Sequence, residues 1–406
     1  MNFTMNPSHR PRLYNTILQE HLAKYRQMAF LSGPRQSGKT TLAKDCSTQY
    51  LNWDREIDRK RILAGQEEVA VACGLDRAKE IPEILVFDEI HKYPRWKSFL
   101  KGFFDTHGER ARILATGSAK MDVYKRGGDS MVGRYFSYRI HPFSVAEVRD
   151  VGIPPEALIR PQGDIPDDDW NALWDHGGFP EPFTMRERRF TARWNTLRYE
   201  QLFQSDVRDL TRISEIDQFS ILAEILRNRS GEQLVYSSLG NDVHVDEKTI
   251  KSWVTTLRYL YYGFEVRPWF RNVENAIRKT PKWYLRDWSI VEDEGKKAET
   301  FVACHLLKAV EGWTDMGFGE FSLYYVRDKQ KHEVDFLVTK NRVPWFLVEV
   351  KQSSDRMSPS LVEFHRKLGT QHAFQVVWDL PYENVDAFSY SSPVIVPART
   401  LLGQLL

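Results

Sequence analysis

Gly33-Pro34-Arg35-Gln36-Ser37-Gly38-Lys39-Thr40 is the stretch on which the fold turns. It has the spacing Gly, four residues, Gly, Lys, then Ser or Thr, and it stands between an apolar run, Met28 to Ser32, and a helical pattern opening at Lys39. That context is what a phosphate-binding loop needs. Backbone N–H groups of the loop and of the helix N-terminus cradle phosphates, while Lys39 neutralises the outer ones. Thr40 is the expected Mg²⁺ ligand. Gly33, Pro34, Arg35, Gln36, Ser37, Gly38, Lys39, Thr40 and Thr41 are therefore the expected nucleotide-binding residues.

Working outward, Ile84-Leu85-Val86-Phe87 runs straight into Asp88-Glu89 and places two carboxylates at the C-terminal end of a buried strand. Ligands bind at such ends in open α/β sheets. Asp88 is expected to hold Mg²⁺ through water, and Glu89 to polarise a water beside the γ-phosphate of ATP. The run Ile113 to Ser118 reads as a neighbouring strand ending in small polar residues, with Thr116 and Ser118 placed to sense the γ-phosphate or the lytic water. Arg134, after Gly133 and before another strand, is a candidate for neutralising transition-state charge, from the same subunit or from a neighbouring one in an oligomer. Lys39, Glu89, Ser118 and Arg134 make up the expected catalytic set.

From Arg12 to about His141, the apolar runs Met28–Ser32, Gln49–Trp53, Ile84–Phe87, Arg112–Thr116 and Tyr135–Ile140 alternate with helical patterns, the rhythm of a parallel-sheet α/β domain. The stretch Ile153 to Asp169, with its prolines and three consecutive Asp, reads as a loop or boundary. Helical spacing dominates from Arg186 to Leu260, where Val235–Leu239 and Trp253–Leu260 suggest helix, turn, helix with Asp246 as N-cap of the last helix. After about Trp288 a helix, three strands, a helix and a strand form a small mixed α/β unit. The expected domains are 1–150, 151–288 and 289–406.

With 406 residues the chain is too long for one ordinary core, and 42 % hydrophobic residues are ample for packed interiors. A net charge of +2 neither demands nor excludes a nucleic-acid partner, so any basic surface must be local. Cys46, Cys73 and Cys304 are isolated and give no disulfide framework, and His91, His141, His176 and His332 lack metal-ligand spacing. No signal-like or membrane-length apolar run occurs, so the expectation is a cytoplasmic chain without a membrane partner.

As a set, GPRQSGKTTL, LVFDEIHKYPRWKSFLKGFFD, ILATGS, the Gly-Arg before a strand, RIHPFSVAE, RKTPKWYLRD and the final VEVK resemble the AAA-type P-loop ATPases of bacteria and archaea that carry a C-terminal, restriction-endonuclease-like domain of uncharacterised function. The likeness spans nearly the whole chain. It implies an ATP- and Mg²⁺-dependent P-loop core of the ASCE class, a helical and winged-helix-like middle region, and a mixed α/β nuclease-like domain. LRDWSI departs from the family's usual turn at that point, around Asp287.

In the last unit, Asp335 and the sequence Glu349-Val350-Lys351 lie on consecutive strands. Two carboxylates can hold a divalent ion and a lysine can stabilise a phosphate, the parts that metal-assisted phosphodiester cleavage needs. Glu299, on the preceding helix, completes the resemblance to the PD-(D/E)-x-K nuclease core and implies a second divalent ion there. Such a fold also persists as a non-cleaving module that docks nucleic acid or protein. Arg258, Arg267, Arg271, Arg278, Lys279, Lys282 and Arg286, interleaved with aromatics, read as a local basic face, with Lys248 and Lys251 on the helix before it. The run Arg186 to Arg193 reads as a solvated helix face. Two functions follow: an ATPase coupled to DNA binding or processing, or an ATP-gated switch whose C-terminal domain binds DNA or a protein without cutting.

Overall fold

The computed structural model describes every residue except 1–9, 78–80, 118–130, 155, 157, 204–212, 214, 271–279 and 355. Its contacts divide the chain into two compact units, one of residues 1–141 with 151–153, the other of 142–150 with 154–406.

The first unit runs α1 (Leu13–Lys24), β1 (Met28–Ser32), α2 (Lys39–Cys46), β2 (Gln49–Asn52), α3 (Glu56–Ala64), α4 (Gln66–Ala72), β3 (Glu83–Asp88), α5 (Trp96–His107), β4 (Ala111–Thr116) and β5 (Tyr135–Arg139). The strands pair in parallel in the order β2-β3-β4-β1-β5. Every residue of β1 is buried, as expected of a strand covered on both faces, which is why its sequence reads as an unbroken apolar run. Helix α5 buries Trp96, Phe99, Leu100, Phe103 and Phe104, a three- and four-residue spacing that aims one stripe at the core beneath. Strand β4 enters between β1 and β3, so the ends of the three strands that follow from the phosphate-loop reading lie side by side.

The second unit contains α6 (Val145–Arg149), α7 (Asp167–His176), α8 (Pro180–Met185), α9 (Arg188–Gln201), α10 (Ile216–Asn228), α11 (Tyr236–Val243) and α12 (Glu247–Tyr259). Strands β6 (Gly263–Pro268) and β7 (Lys282–Leu285) lead to α13 (Glu294–Asp315), β8 (Phe321–Arg327), β9 (Glu333–Lys340), β10 (Val343–Lys351), α14 (Pro359–Leu368), β11 (His372–Val377), β12 (Val394–Pro397) and α15 (Ala398–Leu402). These strands form one mixed sheet in the order β12-β11-β10-β9-β8-β6-β7. Strands β6 and β7 precede the expected limit at 288, yet they extend the C-terminal sheet through a parallel β6–β8 pairing.

Local chemistry explains the element ends. Asp246 accepts the Thr249 N–H over 2.9 Å and caps α12, whose buried stripe is Ile250, Trp253, Val254 and Leu257. Asp167, Asp168 and Asp169, expected in a loop, form the first turn of α7 instead, where negative charge suits the helix dipole. Asp287, at the departure from the family's pattern, accepts from Ser289 N–H and pairs with Arg198 at 2.8 Å, so the chain there is pinned rather than open. No helix among the described residues is long and apolar enough to cross a membrane.

Candidate functional site

Between β1 and α2 the chain makes a loop that only certain residues allow. Gly33 has φ +144°, and a Cβ there would sit 2.3 Å from the Ile140 carbonyl oxygen. Gly38 has φ +91° and leads into α2 as its N-cap. Gln36 also takes a left-handed φ, of 60°. Pro34 and Ser37 are buried, Arg35 and Gln36 exposed, and Gly38, Thr40 and Thr41 partly exposed. Arg12, just before α1, clamps the loop by donating to the Ser37 carbonyl at 2.8 Å and the His141 carbonyl at 2.6 Å. Lys39 is buried, and its Nζ donates to the carbonyls of Gly33 (3.0 Å) and Pro34 (2.6 Å), which holds the ammonium over the loop.

Asp88 lies at the end of β3, 1 % exposed, and hydroxyl and amide donors converge on it. Thr40 Oγ1 donates to Oδ2 at 3.2 Å, Tyr50 OH to Oδ2 at 2.5 Å, Asn52 Nδ2 to Oδ2 at 3.2 Å, and Thr116 Oγ1 to Oδ1. Burial and the adjacent Asp88 hold the Tyr50 hydroxyl well above its usual pKa, so it stays a donor. A threonine hydroxyl against a carboxylate is a hard-oxygen donor set that fits Mg²⁺.

Glu89 adopts a left-handed φ of 55°, a conformation that costs energy in a non-glycine residue and concentrates at functional sites. Its N–H donates to Thr116 Oγ1 at 3.2 Å, and its carboxylate pairs with Lys92 Nζ at 3.2 Å. Lys92 in turn reaches Asp54 at 2.6 Å. Ser118 lies outside the described residues.

Arg134 does not join this group. Its Nε and Nη2 hold Asp105 of α5 at 2.8 and 3.1 Å, and its carbonyl accepts from Met28 N–H at the start of β1. The loop follows the other end of β1, and a five-residue strand spans about 16 Å, beyond the reach of an arginine. Within one subunit, the expected finger points away from the loop.

A second cluster occupies the C-terminal sheet. Lys282 of β7, 6 % exposed, sets its Nζ 2.7 Å from Glu333, 3.2 Å from Glu299 of α13 and 3.5 Å from Asp335 of β9. Tyr284 donates to Glu299 at 2.7 Å, Val350 N–H to Asp335 Oδ2 at 2.9 Å, and Lys351 to Glu349 Oε1 at 2.7 Å. Burial, reinforced by Asp335, raises the carboxyls of Glu299 and Glu349 to about 7. The fold thus brings Glu299, Asp335, Glu349 and Lys351 into one neighbourhood. Among the described residues, however, no group of three or more His, Cys, Asp or Glu is arranged to hold a metal ion, which gives the expected second ion no support.

The basic face expected between Arg258 and Arg286 is partly inward. Lys282 and Arg286 are buried, Arg286 over the rings of Tyr261 (5.0 Å) and Phe264 (5.6 Å). Arg258 and Arg267 share Glu265 at 3.1 and 3.5 Å. These cations thus face acids and aromatics, while Arg271, Arg278 and Lys279 lie outside the described residues. Lys248 and Lys251 remain exposed on α12.

Residues 25–149 match the AAA domain. This N-terminal unit is an AAA-type P-loop domain built on a parallel sheet. Residues 167–293 and 294–393 match two domains of unknown function, DUF8612 and DUF4143. Uncharacterized proteins of Mycobacterium tuberculosis and Mycobacterium bovis are each 24 % identical over 338 residues, which cover 80 % of this chain and 70 % of theirs. Among solved structures, the Aeropyrum pernix ORC1 protein in complex with DNA is 15 % identical at a TM-score of 0.34, over 73 % of this chain and 95 % of that one. AMPPCP-bound DnaA from Aquifex aeolicus is 11 % identical at 0.29, over 63 % of this chain and 92 % of that one.

Tyr50 and Asn52 of the AAA domain, and Arg12 ahead of it, escaped the sequence reading. The signal for the first two was the alternation of β2: residues two apart share a face, and Asn52 lies in register with Asp88.

Proposed function

We propose that the chain binds ATP with Mg²⁺ at Gly33–Thr41 and hydrolyses it, and that turnover governs a DNA-directed middle and C-terminal region. The convergence of Thr40, Tyr50, Asn52 and Thr116 on Asp88 carries this reading, because it fixes a carboxylate beside the loop that ends in Lys39. Thr40 and, through water, Asp88 would hold Mg²⁺, which when bound neutralises charge on the phosphate oxygens. Lys39 would leave the loop carbonyls for the outer phosphates. Glu89 would orient the attacking water, and Thr116, tied to both Asp88 and the Glu89 N–H, keeps the two acids in step. Ser118 would sense the γ-phosphate, and Arg134 would act only on a neighbouring subunit's site.

Helices α11 and α12, with Lys248 and Lys251 exposed, are the proposed DNA contact, in a winged-helix-like region over 151–288. The restriction-endonuclease-like reading of 289–406 rests on Glu299, Asp335, Glu349 and Lys351. A second reading, an ATP-gated switch that grips a protein or nucleic acid without cutting, is favoured by Lys282 amid those carboxylates.

The test is phosphate release by wild type and Lys39→Ala, with and without single- and double-stranded DNA, while the DNA is run on a gel. DNA-stimulated turnover lost in Lys39→Ala supports the first reading. DNA-indifferent turnover with intact DNA moves the function to the switch, and a wild type that neither binds ATP nor releases phosphate rejects both.

A further inference from the structure

The acids of the C-terminal sheet already have a cation. Lys282 Nζ lies within 3.5 Å of Glu299 Oε1, Glu333 Oε1 and Asp335 Oδ1, a buried position on which one carboxylate from α13 and two from β9 converge. The lysine is not there by side-chain drift. Its backbone is fixed by pairing with Val266 of β6 and bridges to Gln233, and the Trp283 N–H donates to the Glu232 carbonyl at 2.9 Å.

Other donors fill most of what remains. Arg327 takes Glu333 Oε2 at 3.1 Å and the Val350 N–H takes Asp335 Oδ2, while Tyr284 shares Glu299 Oε1 with the lysine. Glu349 is the exception: it is 6 % exposed, and its Oε2 is buried with no partner among the described residues. A divalent ion of the Mg²⁺ type needs several oxygens at about 2.0–2.1 Å in near-octahedral array. The ammonium, seated among those oxygens, fills the volume such an ion would take, and adding the ion beside it would set two cations in contact inside a low-dielectric pocket.

We propose that Lys282 is the resident cation of the Glu299–Glu333–Asp335 cluster and bars a divalent metal ion from it, so that the C-terminal sheet has no ion for phosphodiester cleavage while β7 keeps its place. This goes beyond the ATPase reading and stands or falls apart from it, since it concerns the protein without nucleotide.

Mn²⁺ titration of the nucleotide-free full chain, followed by the EPR signal of the free ion, decides it. Wild type is expected to show no Mn²⁺ site that responds to Asp335→Asn. Lys282→Met is expected to gain one site, at least tenfold tighter than any in wild type, and Lys282→Met/Asp335→Asn to lose it. A wild-type site abolished by Asp335→Asn overturns the proposal, as does a Lys282→Met protein with native circular dichroism that gains none. Should Lys282→Met fail to fold, the wild-type and Asp335→Asn arms still decide: a shared absence of the site supports the proposal and an Asp335-dependent site overturns it. Turnover at the P-loop, read separately by phosphate release, is untouched by either result.

Discussion

Tyr50 donates its phenolic hydrogen to Asp88 Oδ2 across 2.5 Å, from the strand alongside Asp88's own. Together with Asn52 on the same strand and Thr116 on the opposite neighbour, it holds the carboxylate from both sides at the end of β3. A hydrogen bond to a charged group is worth about 1.5–3 kcal/mol. Tyr50→Phe, which keeps the ring, is therefore expected to lower phosphate release roughly tenfold or more and to raise the Mg²⁺ concentration for half-maximal rate. Unchanged rate and Mg²⁺ dependence would show that Asp88 needs no such support.

Lys92 holds Glu89 at 3.2 Å and Asp54 at 2.6 Å. The pair is part-exposed, so its restraint is modest, up to about 1 kcal/mol. Lys92→Met is expected to raise basal turnover by up to about fivefold, while Glu89→Gln abolishes it. A fall in rate with Lys92→Met would mean that Lys92 orients Glu89 for the reaction rather than restraining it.

In the second unit, Lys308 of α13 and Glu147 of α6 form a buried pair, 2 % and 0 % exposed at the side chain, and Lys308 also donates to the Pro142 carbonyl at 3.1 Å. Removing one partner strands the other charge away from water. Urea denaturation of Lys308→Met should show a loss of about 3–5 kcal/mol, with much of it recovered in Lys308→Met/Glu147→Leu. A loss below 1 kcal/mol would mean that water reaches the unpaired Glu147.

His305 supplies a pH dependence. Its Nε2 accepts the Val145 N–H at 3.1 Å and its Nδ1 donates to the Phe301 carbonyl at 2.7 Å, a neutral ring. Burial pushes its pKa down to about 3, and Lys308 adds to the effect. The unfolded chain takes up this proton near the ordinary histidine value of 6.5, so the stability His305 confers is full above that pH and is lost as pH falls toward 3. His21, His176, His365 and His372, also lowered chiefly by burial, act with the same sign. Each such histidine contributes a slope of at most about 1.4 kcal/mol per pH unit. Between pH 6.5 and 5, His305→Asn should lose stability less steeply than wild type in urea titrations. An equal slope would place His305 in contact with solvent.

Much of the AAA domain was legible because its inner strands β1, β3 and β4 are largely buried and read as apolar runs: the sequence runs at Met28–Ser32 and Arg112–Thr116 coincide with β1 and β4 to within a residue. The loop and Asp88-Glu89 were legible because phosphate chemistry dictates residue types at fixed spacing. Harder to read were contacts made across the sheet. Tyr50 and Asn52 matter through the order of the strands, which one chain's local pattern does not encode. Strands β6 and β7 were hidden for a related reason. They join a sheet whose other strands begin at Phe321, and the cations that suggested a surface face are turned inward at Lys282 and Arg286. The charge run Asp167 to Asp169 misled because Asp serves helix starts as readily as loops.

The most direct test of the central claim is Mg²⁺-dependent phosphate release from ATP by the purified full chain, beside Lys39→Ala and Asp88→Asn. Steady turnover in wild type that needs Mg²⁺ and disappears in both variants is the predicted result. Turnover that survives Lys39→Ala, or a wild type that binds no ATP and releases no phosphate with Mg²⁺ present, would contradict it.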